Sequence, residues 1–202
     1  MIAVVYDVKT AIAEKAAVEL EKKGWTVIRK AFGDDFTDAS KDMESIDMLL
    51  ICAETQEIPG DGDLEGIGEF ITDHTYDVHR LVQAYISLLK KGNLKRIALI
   101  SEEGASVRRC RERDDYAKRM LMAGLHMKYK MIFNKYRDQG ISVRCFALSD
   151  QEAKAGSWVE GEGLSPVDYF CTKFSDDPEE VFMHSEENNF VMRNKWFEEV
   201  EW

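Results

Sequence analysis

Short apolar runs alternate with longer segments of helical periodicity over the first three quarters of the chain. The runs predict buried strands at residues 2–6, 25–28, 48–53, 97–100 and 141–148. Between them, apolar residues recur every three or four positions, which predicts helices at 11–23, 70–90 and 114–137. Strands that are apolar without interruption are typical of parallel sheets covered on both faces. The pattern therefore predicts an α/β protein.

The order of these elements narrows the architecture. A β–α–β unit opens the chain and ends near residue 30, and a second unit spans 95–150 around the longest helical pattern. Two parallel strands joined by a helix form a right-handed crossover. We therefore predict a three-layer, Rossmann-type doubly wound, mostly parallel sheet with helices on both faces. Asp7 and Thr10, which precede the first helix, are both residue types that cap helices.

The length of the chain predicts a single Rossmann-type domain over residues 1–202. Residues 1–149 hold the core βα units, and residues 150–202 form a variable C-terminal part. Within the core, residues 54–68 contain four glycines and Pro59, which predicts a loop.

The C-terminal part carries weaker patterns. Residues 150–166 are polar and glycine-rich, which predicts a loop, and a helical turn is predicted at 167–174. A further helix is predicted from residue 177, with a proline near its first position. Residues 190–202 alternate between apolar and polar, which predicts a closing strand or hairpin. Its buried side would hold Phe190, Met192, Trp196, Val200 and Trp202.

The helices at 70–90 and 114–137 carry apolar residues around most of their circumference. A helix that covers one face of a sheet needs an apolar stripe only about 100° wide. The remaining apolar side chains need a second surface against which to pack. We therefore predict a homodimer or homotetramer assembled through these two helices.

Charge and composition exclude several classes of function. The chain has 38 acidic and 27 basic residues and a net charge of −11, which argues against binding nucleic acid. It has no signal segment after Met1 and no apolar run near 18 residues, so we expect neither a membrane span nor export. The four cysteines are scattered without CxxC spacing, which favours a reducing, cytoplasmic setting and predicts no metal site.

Four segments, in the same order, resemble motifs of the short-chain dehydrogenase/reductase family. Residues 5–13 resemble its Thr-Gly-x-x-x-Gly-x-Gly cofactor loop, and 47–54 resemble its Asp-x-Leu-Val-Asn-Asn-Ala-Gly segment. Residues 96–101 resemble the strand that delivers the catalytic serine. Residues 140–143, Gly-Ile-Ser-Val, resemble the Gly-Ile-Arg-Val start of the sixth strand. The resemblance covers roughly residues 1–149 and implies a nucleotide-binding fold with oxidoreductase activity.

The resemblance also implies which residues would meet an NAD(P) cofactor. The three loop glycines fall on Asp7, Ala11 and Ala13, and an aspartate near the pyrophosphate would repel it. From the Asn-Asn-Ala-Gly segment only the alanine remains. Arg29, at the end of the second strand, would suit a 2′-phosphate and hence NADP(H). The cofactor-binding positions implied are Asp7, Lys9, Thr10, Ile12, Arg29 and Ala53.

The Tyr-x-x-x-Lys dyad of the family is the decisive motif, because the lysine ammonium lowers the pKa of the tyrosine phenol. Tyr116 is followed at the fourth position by Met120 instead of lysine. Arg119 lies on nearly the same helix face as Tyr116, but its pKa is too high for it to share protons. The catalytic positions implied are Ser101, Tyr116, Lys118 and Arg119.

Two functions of different kinds follow from this resemblance. The first is a non-catalytic or strongly diverged short-chain dehydrogenase/reductase-like protein without a cofactor, because the cofactor loop and the dyad have changed together. The second is an NADP(H)-dependent oxidoreductase that reduces a small carbonyl substrate through a displaced site at Tyr116 and Ser101. A doubly wound phospho-acceptor or flavin-binding domain is a third reading, which only Asp7 favours.

Overall fold

The computed structural model describes residues 1–7, 10–31, 33–36, 43–52, 60, 62–111, 113–172 and 189–201. Within this part of the chain, six strands form one all-parallel sheet. The strand order is β2-β1-β3-β4-β5-β6. The strands are β1 Ile2–Tyr6, β2 Thr26–Lys30, β3 Met48–Cys52, β4 Arg96–Glu102, β5 Ser142–Leu148 and β6 Met192–Arg193.

Helices cover both faces of this sheet. They are α1 Ala11–Lys22, α2 Leu64–Leu89, α3 Tyr116–Tyr136, α4 Asp150–Ala155 and α5 Pro166–Cys171. Along the strands, side chains alternate between a core shared with α2 and α3 and a second core shared with α1 and α5. The predicted three-layer, doubly wound architecture is therefore confirmed.

The strand order identifies where a ligand site belongs in such a fold. From β1 the chain crosses to β2 on one side and, further on, to β3 on the other, so the order reverses beside β1. In doubly wound sheets, ligands bind at this point, outside the carboxyl ends of the strands. The loop from β1 to α1, the ends of β3 and β4, and the N-terminal part of α3 are the elements to inspect.

Helix α2 begins six residues before the sequence pattern predicts. The expected loop at 54–68 is wrong for its last part, because α2 starts at Leu64 and includes two glycines. Asp63 caps it, with a side-chain oxygen accepting from the Gly66 N–H at 3.0 Å. Each glycine costs about 1 kcal/mol in a helix interior, which a cap and a long packed helix offset. Residues 53–59 and 61 lie outside the described part of the chain.

The C-terminal part corrects two other expectations. Residues 150–155, expected in a loop, form α4, which is capped reciprocally by Ser149 and Glu152. The closing strand is short, and its predicted buried side is wrong for Trp196, which is 62% exposed, whereas Arg193 is buried. Helix α5 confirms the helical turn predicted at 167–174. The helix predicted from 177, and Trp202, lie outside the described residues.

Two arginines inside the sheet hold α5 in place. Arg144 donates to the carbonyl oxygens of Tyr169 at 2.9 Å and Thr172 at 3.2 Å. Arg96 donates to the Thr172 carbonyl at 2.8 Å and also to that of Phe170. The last carbonyls of a helix have no partner within it, so the two guanidinium groups supply donors that water would otherwise provide. No helix in the described part of the chain is long and apolar enough to cross a membrane.

Candidate functional site

The loop from β1 to α1 keeps a glycine conformation at a residue that is not glycine. Asp7 has φ +72°, in the left-handed region that favours glycine. Its N–H donates to the Lys30 carbonyl at 2.8 Å, and its own carbonyl accepts from the Thr10 N–H at 3.1 Å. Aspartate tolerates this conformation better than most residues do. The backbone here thus follows the turn that a loop glycine would make, with a carboxylate added.

Thr10, and not Asp7, caps α1. The Thr10 hydroxyl accepts from the Ala13 N–H at 3.2 Å and donates to the Asp7 carbonyl at 3.0 Å. Of the two residues of a capping type before α1, Thr10 therefore occupies the N-cap position. The Asp7 carboxylate adds a negative charge to a loop that would receive a pyrophosphate. At about 4 Å, such a pair repels by about 1 kcal/mol in water and about 4 kcal/mol at an effective dielectric of roughly 20. Lys9, also expected here, lies outside the described residues.

Arg29 is engaged by carboxylates of the neighbouring helix. Its Nε lies 3.1 Å from Glu14, and its Nη1 lies 2.6 Å from Glu21. Its Nη2 donates to both carboxylates as well. Hydrogen bonds to Glu21 and Glu14 raise the pKa of Arg29, and the bond from Arg29 lowers the pKa of Glu21. The guanidinium expected to bind a 2′-phosphate already has two anionic partners in this chain.

The end of β4 brings together several of the expected catalytic residues. Glu102 is buried, and its carboxylate lies 2.8 Å from Lys118 Nζ and also pairs with Arg119. Gly104 leaves room for this arrangement, because a Cβ there would lie 2.6 Å from Arg119 Nη1. Two cations are thus held on one buried carboxylate, at the position where the resemblance implies a dyad.

Ser101 has a partner that the sequence analysis missed. Its Oγ lies 2.7 Å from Nε2 of His126, and both side chains are buried. Burial lowers the pKa of His126 to about 4, so the imidazole is neutral at pH 7. The only signal in the sequence is that His126 lies between Leu125 and Tyr129 on the apolar face of α3.

Tyr116 is placed differently from the other three expected catalytic residues. It is the first residue of α3 and is 59% exposed. A cavity of about 20 Å³ lies at the carboxyl end of β4. Of the described residues expected in the site, Ile12, Ser101 and Lys118 line this cavity and Tyr116 does not. The structure therefore groups Ile12, Ser101, Lys118 and Arg119 around Glu102 and leaves Tyr116 at the surface. Ala53 lies outside the described residues.

The volume of this cavity limits what it holds. Its other walls are Ile100, Met122, Leu148 and Ala153. One water needs about 10–15 Å³ of such space, so about 20 Å³ accommodates one water and not a nicotinamide ring. The charge of Asp7, the paired Arg29 and this small volume all oppose a dinucleotide at the described residues. The described residues also contain no cluster of three or more His, Cys, Asp or Glu side chains suited to a metal ion.

Comparison with known proteins rests on structure alone, since the sequence matches no protein-family model and no curated protein. A protein from Burkholderia multivorans, assigned as a short-chain alcohol dehydrogenase, is 12% identical with a TM-score of 0.70, and the match covers 100% of this chain and 99% of that one. A second B. multivorans protein, a short-chain dehydrogenase/reductase with bound NADP, is 12% identical with a TM-score of 0.66 over 100% and 99% of the two chains.

The third neighbour is the carbonyl reductase Sniffer of Caenorhabditis elegans, which is 15% identical with a TM-score of 0.67. The match covers 100% of this chain and 98% of that one. Such low identities concern the fold and leave the chemistry of this chain to its own residues. The chain has the fold of the short-chain dehydrogenases/reductases, as its sequence resemblance implies.

Proposed function

We propose that this chain is a non-catalytic or strongly diverged short-chain dehydrogenase/reductase-like protein that works without a dinucleotide. The observation that carries the proposal is the buried Glu102, whose carboxylate pairs with both Lys118 and Arg119 beside a cavity of about 20 Å³. In the family that the sequence resembles, the lysine of the dyad is the charge that activates the tyrosine. Here the equivalent cations serve an internal ion pair.

The electrostatics of the whole site support the same proposal. A dinucleotide brings a pyrophosphate and, in NADP(H), a further phosphate, so its site needs cations or N–H donors that are not already satisfied. Asp7 contributes a negative charge to the loop, and Arg29 is bound by Glu14 and Glu21. An anionic ligand would have to compete with Glu14 and Glu21 for Arg29 and would be repelled by Asp7.

Fluorescence titration of the purified protein with NADPH tests this proposal. We expect no saturable binding below about 1 mM, which corresponds to less than about 4 kcal/mol of binding free energy. Asp7→Asn removes the charge while asparagine tolerates the same backbone conformation, and Glu102→Gln releases Lys118 and Arg119. The two variants together should bind NADPH more tightly than the wild type. A wild-type Kd near 10 µM or below would overturn the proposal.

An NADP(H)-dependent oxidoreductase acting on a small carbonyl is the second candidate. It is favoured by a neighbour of the same fold that holds NADP, and by the position of Ser101 at the end of β4. Its test is the oxidation of NADPH with a panel of small aldehydes and ketones. Activity that disappears in Tyr116→Phe would favour this candidate, whereas a variant as fast as the wild type would contradict the role of Tyr116.

We further propose that two copies, or four, assemble through α2 and α3 and that the protein resides in the cytoplasm. Tyr116, Met120, Met127 and Met131 of α3 are each 58–64% exposed, as is Tyr76 of α2. Large apolar side chains in one stripe are typical of a surface that another protein covers. The four cysteines are free thiols, as expected for a reducing compartment.

A further inference from the structure

A second and larger cavity lies on the flank of α3. Its volume is about 400 Å³, within the usual range of small-molecule sites. Three elements surround it: the middle of α3, the residues after β4, and the residue two positions before β6. Most of its wall is apolar, from Ala105, Val107, Ala123, Met127 and Phe190. We refer to this space as the α3 cavity.

Two polar side chains also face the α3 cavity. One is His126, whose buried and neutral imidazole separates this cavity from Ser101 and the smaller one. The other is Lys130, an exposed residue whose ammonium lies 5.1 Å from the centre of the Phe133 ring. An apolar wall with a few polar groups is the usual composition of a ligand site, since the polar groups orient what the apolar wall holds.

Lys130 is informative because of the charge of the chain. Acidic residues outnumber basic ones by 38 to 27, yet Lys130 forms no ion pair within the described part of the chain. At the site near the strand ends, by contrast, Arg29, Lys118 and Arg119 each have a carboxylate within 4 Å. A cation that faces an apolar cavity without an internal counter-charge is complementary to an anion that enters from outside.

We propose that the α3 cavity binds a small amphipathic carboxylic acid, with its apolar body against Met127 and Phe190 and its carboxylate at Lys130. The volume sets the size of this ligand. A cavity of about 150 Å³ holds benzene, so about 400 Å³ corresponds to a body of roughly 10–16 non-hydrogen atoms. This matches an acyl or aryl acid of medium length. The proposal concerns a site separate from the one at the strand ends and does not depend on whether a dinucleotide binds there.

A second copy of the chain is the competing occupant, and the geometry favours the small molecule. Residues of an α-helix are separated by about 100°, so His126 and Lys130 lie to one side of the exposed methionine stripe on α3. The stripe is a convex helix surface, suited to another helix. The cavity is a concave space that borders the stripe at Met127 and also includes Ala105 from a different element, so the convex face of a second helix would not fill it.

Calorimetric titration with octanoate and with 1-octanol tests the proposal. Octanoate should bind saturably, and Lys130→Gln should weaken octanoate about tenfold while leaving octanol unchanged, because only the acid makes a charge-assisted contact. Ala123→Trp, at an exposed position that lines the cavity, should weaken both ligands at least thirtyfold by filling the space. Lys135→Gln is the matched control, since its ammonium also lies over an aromatic ring on α3 but does not line the cavity.

The outcomes separate cleanly. Loss of octanoate affinity in Lys130→Gln and Ala123→Trp, with thermal stability and Lys135→Gln unchanged, supports the site. A Met127 methyl resonance that shifts with octanoate would support it independently. No saturable binding up to about 5 mM, or equal affinity in Ala123→Trp, overturns it. Self-association that closes the cavity would also overturn the proposal. In that case, octanoate would bind only to variants that charged substitutions on the stripe have made monomeric.

Discussion

His126 couples the stability of the fold to pH. Burial destabilises the charged form of its imidazole, so its pKa falls to about 4 from an ordinary value of 6.5. The unfolded chain binds a proton at this histidine below about pH 6.5, whereas the folded chain does so only below about pH 4. Stability due to this group is therefore complete above pH 6.5 and is lost as the pH falls toward 4.

We expect the wild type to lose about 2 kcal/mol of unfolding free energy through His126 between pH 7.5 and pH 5. The measurement is urea unfolding at both pH values, compared with His126→Gln, which keeps a polar side chain near Ser101 but does not titrate. The difference between the two proteins isolates this histidine from the many carboxylates. An equal pH dependence in both proteins would show that folding leaves the pKa of His126 unchanged.

The same residue marks the limit of sequence reasoning at the site. The strand that ends at Ser101 and the helix that carries Lys118 are both evident from local patterns, so their meeting at the sheet edge could be predicted. The contact between Ser101 and His126 spans 25 positions and depends on the rotation of α3 over β4. In the sequence, Glu102 is likewise an ordinary polar residue at the end of a strand, and its pairing with Lys118 and Arg119 is evident only from the structure.

At the scale of elements, helices and strands with a regular apolar period could be predicted from the sequence, whereas the residues at which they begin and end were harder to predict. The strands and the buried face of α1 follow from apolar spacing, whereas α3 is apolar around most of its circumference and its spacing does not single out one face. Helix α4 has a capping box in the sequence, Ser149 followed at the third position by Glu152, yet its polar surface makes it look like a loop. Alternation predicts Trp196 on the buried side, but the strand ends at Arg193, so the period of two no longer applies at Trp196.

Helix α5 provides the prediction at this scale. It has only six residues, and Arg144 donates to the carbonyl of Tyr169 within it and to that of Thr172, which follows its last residue. Arg144→Met keeps the apolar stem and removes the donor to the buried Tyr169 carbonyl, whereas the Thr172 carbonyl keeps its bond from Arg96. We expect a loss of about 2–3 kcal/mol in unfolding free energy, measured by urea denaturation. Arg137→Met, at a half-exposed arginine after α3, is the control and should change stability by less than about 0.5 kcal/mol. Similar midpoints for the two variants would contradict the capping role.

Among the described residues, α2 and α3 carry six of the eleven exposed large apolar side chains. The α1 and α5 layer is closed by polar contacts such as those of Glu19 with Trp158 and Ser165. On the other layer, α2 and α3 pack closely: a Cβ on Gly124 would lie 3.8 Å from Thr75, and Lys128 donates to the Thr75 carbonyl at 2.7 Å. The two helices thus form one continuous platform, and the methionine stripe runs along it.

Burial of this stripe between two copies is the prediction for the whole molecule. Met120→Glu combined with Met131→Glu would place two uncompensated carboxylates in the interface, and the dimer should weaken at least about a hundredfold, or about 3 kcal/mol. Sedimentation velocity over a range of concentrations measures the change. Val18→Glu, at an exposed apolar position on α1 and hence on the opposite layer, should leave assembly intact. A wild type that sediments as a monomer at about 100 µM would contradict assembly through α2 and α3. Equal dissociation by Val18→Glu would contradict it too, because an interface on this layer should not respond to a charge on the opposite one.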